Sequence, residues 1–189
     1  TSLASKERIL VVGNGMVGHH FVEQLHQANE NAQITVLCGE SRLAYDRVHL
    51  SSYFSGASAE DLALTDAATY TEWGVNFVTN AMVTDILRDE KKVLTSEGQA
   101  YAYDKLILAT GSYPFVPPIP GNNQPHCLVY RTIDDLEAIE ASARESKTGV
   151  VVGGGLLGLE AANALKEAGL DTHVVEFAPQ LMAVQLDVT

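Results

Sequence analysis

Gly13-Asn14-Gly15-Met16-Val17-Gly18 is the stretch on which the reading of this chain turns. The branched apolar run Ile9-Leu10-Val11-Val12 precedes it and has the length of a buried parallel strand. Val17, Phe21, Val22 and Leu25 follow at helical spacing. Strand, glycine turn and helix in that order make a dinucleotide-binding start. Gly13 permits the tight turn, Gly15 lets backbone approach a pyrophosphate, and Gly18 lets the helix sit close on the strand. The phosphates would then meet free N–H groups at a helix N-terminus. The next strand, Ile34 to Leu37, leads to Glu40, where a carboxylate would hydrogen-bond the ribose hydroxyls of an adenosine.

A second unit of the same kind lies downstream. Gly149 to Val152 reads as a strand, Gly153-Gly154-Gly155-Leu156-Leu157-Gly158 as the turn, Leu159 to Ala168 as the helix with Gly169 past its end, and Thr172 to Glu176 as the next strand with its acid. Two such units in one chain are far more specific than one, and the chain reads as built for two nucleotides. A carboxylate at Glu176 would stand about 4 Å from a 2′-phosphate and be repelled by roughly 4 kcal/mol per charge pair at an effective dielectric near 20. NAD is therefore expected over NADP.

Between the two turns the pattern changes. Arg42 and Arg47 lie in an irregular stretch, and a guanidinium fork at either suits phosphate oxygens. Ser58 to Asp61 reads as a helix cap, and Asp66 to Trp73 as a helix ending at Gly74. The runs at 75–78, 82–87, 92–95 and 99–103 are strand-like, with a hairpin turn at Ser96-Glu97-Gly98, so a small antiparallel meander is expected. Lys105 to Leu108 is another apolar strand, and it ends in the small residues Ala109-Thr110-Gly111-Ser112, which let a backbone touch a bulky cofactor. Pro114, Pro117, Pro118, Pro120 and Gly121 mark a stiff linker. Beyond it Cys127 to Tyr130 reads as a short strand and Thr132 to Ala143 as a helix with Asp134 and Asp135 in its first turn. The expected domains are 1–113, the linker 114–121, and 122–189.

Composition narrows the function. The net charge of -12 argues against nucleic acid, which needs clustered cations to displace counterions. No apolar run approaches the roughly 18 residues of a membrane span. Thr1 to Arg8 has no apolar signal core, so a cytoplasmic protein is expected. The two cysteines, Cys38 and Cys127, form no CxxC pair and read as small buried hydrophobes. The six histidines show no metal-ligand spacing, so no metal is expected on these residues.

The order of glycine turn and ribose acid, YDR segment, ATG before a proline linker, and second glycine turn with its acid resembles the two-dinucleotide flavoprotein reductases. Within that family, GNGMVGHHFVEQL, AYDRVHLSSYF, LATGSYPFVPPIPG, VVGGGLLGLEAANALK and VEFAPQLMAVQLD are similar to the N-terminal part of the large subunits of assimilatory NAD(P)H-dependent nitrite reductases. The resemblance implies an α/β fold: a Rossmann-like FAD-binding domain with a parallel sheet and a small meander, then an incomplete second Rossmann-like NAD-binding unit. It places Gly13, Gly15, Met16, Val17 and Gly18 at the FAD pyrophosphate, Glu40 at its ribose and Arg47 by its phosphates. Val83 would meet the adenine through its backbone, and Ala109, Thr110, Gly111 and Ser112 would line the flavin. Gly153, Gly155, Leu157, Gly158 and Glu176 would cradle NADH. Many carrier-reducing relatives read YDRPPLSK; here Val48, His49 and Ser52 stand in place of the two prolines and the lysine.

The expectation is a diaphorase part of a longer enzyme that makes ammonium from nitrite. NADH would reduce FAD, siroheme and an iron-sulfur cluster would lie in the part of the parent outside this chain, and its remaining domains or a small subunit would be the partners. Hydride transfer needs proximity and orientation, so no side chain is named as acid or base. The alternatives are an NADH-dependent rubredoxin or ferredoxin reductase, or a nucleotide-binding module without turnover. Ending inside the second unit would leave apolar surface open and favour self-association.

Overall fold

The computed structural model describes residues 6–28 and 31–186. In chain order the elements are β1 (Arg8–Val12), α1 (Met16–Ala28), β2 (Gln33–Leu37), a 3-10 helix (Leu50–Ser55), α2 (Ala59–Leu62), α3 (Ala67–Glu72), β3 (Asn76–Val78), β4 (Val83–Leu87), β5 (Lys92–Thr95), β6 (Ala100–Ala102), β7 (Lys105–Leu108), α4 (Ile133–Arg144), β8 (Thr148–Val152), α5 (Leu156–Glu167) and β9 (Asp171–Val175). They fall into two compact units: the chain up to Asp46 together with Leu62–Ser112, and Arg47–Asp61 together with the chain from Tyr113 onward.

The first unit holds a parallel sheet in the order β3-β2-β1-β7 and an antiparallel meander β4-β5-β6. Its layering follows from alternation along strands buried on both faces. Val11, Ile34, Val36 and Ile107 point to one face, where Val22 of α1 and Tyr70 and Trp73 from the α3 region cover them. Leu10, Leu37 and Leu106 point to the other, against Val93, Tyr101 and Tyr103 of the meander region. A one-residue slip would exchange these sets, so the register Leu10↔Thr35 and Leu10↔Leu106 is strongly specified. Asp66 caps α3, its carboxylate accepting from the Thr69 N–H, and Gly74 ends the turn at φ 67°. Gly98, at φ 77°, turns the chain between β5 and β6. On the surface Arg8 clasps Asp104 at 2.8 Å, and this partner holds the Asp104 carboxyl at about 2, below the usual carboxylate range.

The second unit contains the parallel pair β8-β9, with α5 packed on both strands. A complete capping box starts α4: the Thr132 hydroxyl accepts from the Asp135 N–H while the Asp135 carboxylate accepts from the Thr132 N–H. The expected strand at Cys127 to Tyr130 does not form. Among the described residues β8 has a single ladder partner, β9, and a run of β-forming residues becomes a strand only where a neighbour takes its N–H and C=O groups. Without that packing Cys127 is exposed, against the expectation of burial, whereas Cys38 is buried as expected. An apolar cleft of about 770 Å³ lies within this unit, bounded by Phe115, Ile119, Leu128, Val150, Ala161 and Leu165. Val152, Val175 and Phe177 are also exposed.

No helix among the described residues is long and apolar enough to cross a membrane, and no group of three His, Cys, Asp or Glu among them could hold a metal ion.

Candidate functional site

The first glycine turn is built by close backbone approach. Gly13 leaves β1 at φ 104°, a conformation side chains oppose, and its N–H donates to the Leu37 carbonyl at 2.8 Å. A Cβ at Gly13 would overlap the Ala109 carbonyl oxygen and stand 2.6 Å from its carbon. Gly18, in the first turn of α1, faces the Gly13 carbonyl so closely that a Cβ there would overlap its oxygen and lie 3.1 Å from its carbon. The Ala109 N–H completes the arrangement by donating to the Val12 carbonyl at 2.8 Å. Gly13, Gly18 and Ala109 thus form one cradle at the C-terminal ends of β1 and β7. Val17, 74% exposed, leaves the start of α1 open, where the first N–H groups of a helix have no intrahelical partner. An anion such as a pyrophosphate fits this concavity.

Glu40 follows β2, and its carboxylate accepts a 2.6 Å hydrogen bond from the Tyr45 hydroxyl. Gly39 is beneath Met82, whose methyl would be 2.9 Å from a Cβ, so the β2 exit and the approach to Val83 adjoin. Val83 opens β4 opposite Thr95, at an irregularity in the ladder. Thr110, Gly111 and Ser112 continue from Ala109, with Gly111 at φ 69°. Arg47 lies in the second unit, where its Nη1 donates to the Arg131 carbonyl at 3.2 Å.

Beneath the first turn is a polar network that motif spacing did not reveal. Asn14, the variable residue between the first two glycines, is buried; its Nδ2 donates to the Tyr70 hydroxyl at 2.8 Å and its Oδ1 accepts from the Ala44 N–H at 2.8 Å. Nδ1 of His19 is 2.9 Å from the same hydroxyl. The Tyr70 hydroxyl oxygen accepts the hydrogen bond from Asn14; with its own O–H donating to Nδ1 of His19, the imidazole is the neutral tautomer with its hydrogen on Nε2. Burial pushes the Tyr70 hydroxyl up and the His19 imidazole below its ordinary 6.5, the latter opposed by nearby Glu23. His19 and His26 each stack on Trp73. A buried asparagine inside a glycine turn was the available signal, because an amide is stable there only with partners.

The folded state binds the His19 proton less readily than the unfolded chain, so the contribution of His19 is complete above 6.5 and declines as pH falls below it. Urea midpoints measured at pH 7.5 and pH 5.5 are expected to drop more for the unaltered protein than for His19→Gln, which retains an acceptor for Tyr70 without titrating. Equal drops would remove His19 from the acid response.

In the second unit the same geometry recurs. Gly153 leaves β8 at φ 118° and donates to the Val175 carbonyl at 2.8 Å. A Cβ at Gly158 would overlap the Gly153 carbonyl oxygen and lie 2.9 Å from its carbon. Gly155 caps α5 with extended backbone, and Leu157 is 53% exposed. Glu176 is held at the turn: its carboxylate accepts from the Gly154 N–H and, at 2.8 Å, from the Ala178 N–H. The Ala178 and Gly154 amides lower its proton affinity, and it is ionised at neutral pH. Gly154 was not among the expected site residues, yet its N–H orients Glu176 while its carbonyl accepts from Met182 at 2.9 Å.

A family model described as pyridine nucleotide-disulphide oxidoreductase matches residues 7–188. The chain is 56% identical to the NADH nitrite reductase large subunit of Escherichia coli strain K12, over 97% of this chain and 22% of that relative. It is 39% identical to the NAD(P)H nitrite reductase of Bacillus subtilis strain 168, over 97% of this chain and 23% of the relative. Among solved structures, a ferredoxin reductase from Rhodopseudomonas palustris superimposes with a TM-score of 0.89 at 29% identity, covering 97% of this chain and 46% of that one. An NAD-dependent persulfide reductase from A. fulgidus gives 0.88 at 26% identity, covering 95% of this chain and 36% of the other. The chain spans about a fifth of the length of the two nitrite reductase relatives.

Proposed function

The chain belongs to the pyridine nucleotide-disulphide oxidoreductase family, and from that premise we propose that it is the dinucleotide-binding, electron-input part of an NADH-dependent nitrite reductase. In this reading the first turn takes FAD and the second NADH, as the resemblance to the two-dinucleotide flavoprotein reductases implies. The observation that carries the reading is the repeated cradle. Gly18 on the Gly13 carbonyl and Gly158 on the Gly153 carbonyl are the same close approach made twice, each with a carboxylate after the next strand.

In this reading Gly13, Gly15, Met16, Val17 and Gly18 receive the FAD pyrophosphate, Glu40 its ribose and the Val83 backbone its adenine. Ala109 to Ser112 lie along the flavin. Gly153, Gly155, Leu157 and Gly158 receive the NADH pyrophosphate and Glu176 its ribose. The bound nucleotides would supply hydride and single-electron chemistry, and in this reading the siroheme and iron-sulfur centres that receive the electrons lie outside this chain. The chain's own work is to bind, orient and select. Its glycine turns fix the phosphates without a side chain, and the ionised Glu176 repels a 2′-phosphate. The expected compartment is the cytoplasm, where NADH is regenerated, and the exposed apolar residues of the β8-β9 unit favour self-association. A carrier reductase would use the same input chemistry with a different acceptor; the higher identity to nitrite reductases supports nitrite.

The test is a visible spectrum of the purified chain with FAD offered, followed by anaerobic NADH or NADPH. A bound-flavin spectrum that bleaches with NADH at least about tenfold faster than with NADPH is expected. Failure to take up FAD would overturn the cofactor reading. Flavin that stays oxidised with both nucleotides would leave a binding module and overturn the reductase reading.

A further inference from the structure

The carboxylate assigned to the adenosine ribose does not stand alone. Tyr45 is 3% exposed, yet its hydroxyl reaches the Glu40 Oε2 at 2.6 Å. A short bond from a buried donor to a carboxylate is among the stronger hydrogen bonds in proteins.

The backbone behind Tyr45 is fixed on two sides. On one side the Ala44 N–H donates to Oδ1 of Asn14, inside the glycine turn, at 2.8 Å. On the other the Ala44 carbonyl accepts from the Leu64 N–H at 2.9 Å, and Tyr45 bridges to Ala63. Asn14 is itself tied through Nδ2 to Tyr70, which is fully buried. Hydrogen bonds therefore run from Tyr70 of α3 through Asn14 of the phosphate turn to Ala44, and the peptide link to Tyr45 and its hydroxyl carry the connection on to Glu40. All of it lies within the first unit.

Glu40 has two carboxylate oxygens, and a carboxylate free to rotate would lose entropy whenever it gripped a ribose. Holding Oε2 in advance removes that cost and sets the distance between the ribose acid and the pyrophosphate turn. We propose that Tyr45, anchored through Ala44 to Asn14 of the glycine turn, is a positioning residue that fixes the Glu40 carboxylate for the ribose of an adenosine dinucleotide. This rests on the assignment of the first turn and Glu40 to FAD.

A double-mutant cycle on the full chain tests the coupling: FAD affinity by titration of the apoprotein for the unaltered protein, Tyr45→Phe, Glu40→Ala and the double variant. Phenylalanine keeps the ring that fills the core, and far-UV circular dichroism verifies that each variant is folded. Tyr45→Phe is expected to weaken FAD about tenfold when Glu40 is present and less than about twofold when it is absent. A ligand-side arm makes the same comparison without altering Glu40: FAD whose adenosine carries 2′,3′-dideoxyribose should bind the unaltered protein and Tyr45→Phe alike.

Equal weakening by Tyr45→Phe in both Glu40 backgrounds, or no weakening at all, would overturn the positioning role while leaving the ribose assignment intact. If Glu40→Ala binds FAD as tightly as the unaltered protein, or if the unaltered protein takes up no FAD, the ribose assignment fails and the proposal fails with it.

Discussion

Replacing Gly18 by alanine is expected to abolish FAD uptake and to lower the melting temperature by roughly 4–8 °C, corresponding to about 2 kcal/mol. The added methyl would overlap the Gly13 carbonyl oxygen and approach its carbon to 3.1 Å. Both are backbone atoms of a turn that is itself wedged against Ala109, where a Cβ at Gly13 would also collide. No side-chain tip can move aside. α1 must therefore shift away from β1, carrying with it the N–H groups of Met16 and Val17 that would face the pyrophosphate. Val22, on the same helix and fully buried in the core, makes that displacement costly. The measurement is a thermal melt beside a flavin-retention assay. A variant that melts with the unaltered protein and keeps its flavin would show that the turn yields, and that the first cradle is not what holds FAD.

Gly158→Ala carries the second large effect, and its signature differs. Here the methyl would overlap the Gly153 carbonyl oxygen and lie 2.9 Å from its carbon, within the second unit. The expected phenotype is a normal flavin spectrum with bleaching by NADH slowed roughly a hundredfold, the loss that misplacement by about 1 Å produces in an oriented reaction. Gly154→Ala is the informative comparison. The nearest obstacle to its methyl is the tip of the Leu181 side chain, which is 48% exposed and can swing away, and the next are Oε2 and Cβ of Glu176 at 3.0 and 3.2 Å, so the methyl presses on side chains and not on backbone. Its slowing is expected to be the smaller of the two. If the two variants were slowed equally, general disturbance of the turn, rather than the seat of α5 on β8, would be the cause. Loss of flavin from Gly158→Ala would contradict the assignment of the second cradle to the nicotinamide nucleotide.

Much of this protein was legible in the chain itself, because the determinants are local. Both glycine turns, the strands before them and the helices after them depend on backbone freedom at Gly13 and Gly153, on short continuous apolar runs and on an apolar period of about 3.6, which neighbouring residues express on their own. The caps at Asp66 and Thr132 and the turn at Gly98 are local for the same reason.

Tertiary structure decided what depends on partners distant in sequence. It showed that Cys127 to Tyr130 finds no ladder neighbour, and that Cys127 is exposed while Cys38 is buried. It also divided the chain so that Arg47–Asp61 goes with the later residues, leaving Arg47 on the Arg131 carbonyl. Above all, it brought Asn14, Tyr70, Ala44, Tyr45 and Glu40 together through hydrogen bonds and the peptide link from Ala44 to Tyr45. A glycine motif records where backbone must approach a ligand, since that requirement is met residue by residue. Which buried amide or hydroxyl supports the motif depends on what the fold brings opposite it, and spacing along the chain does not encode that.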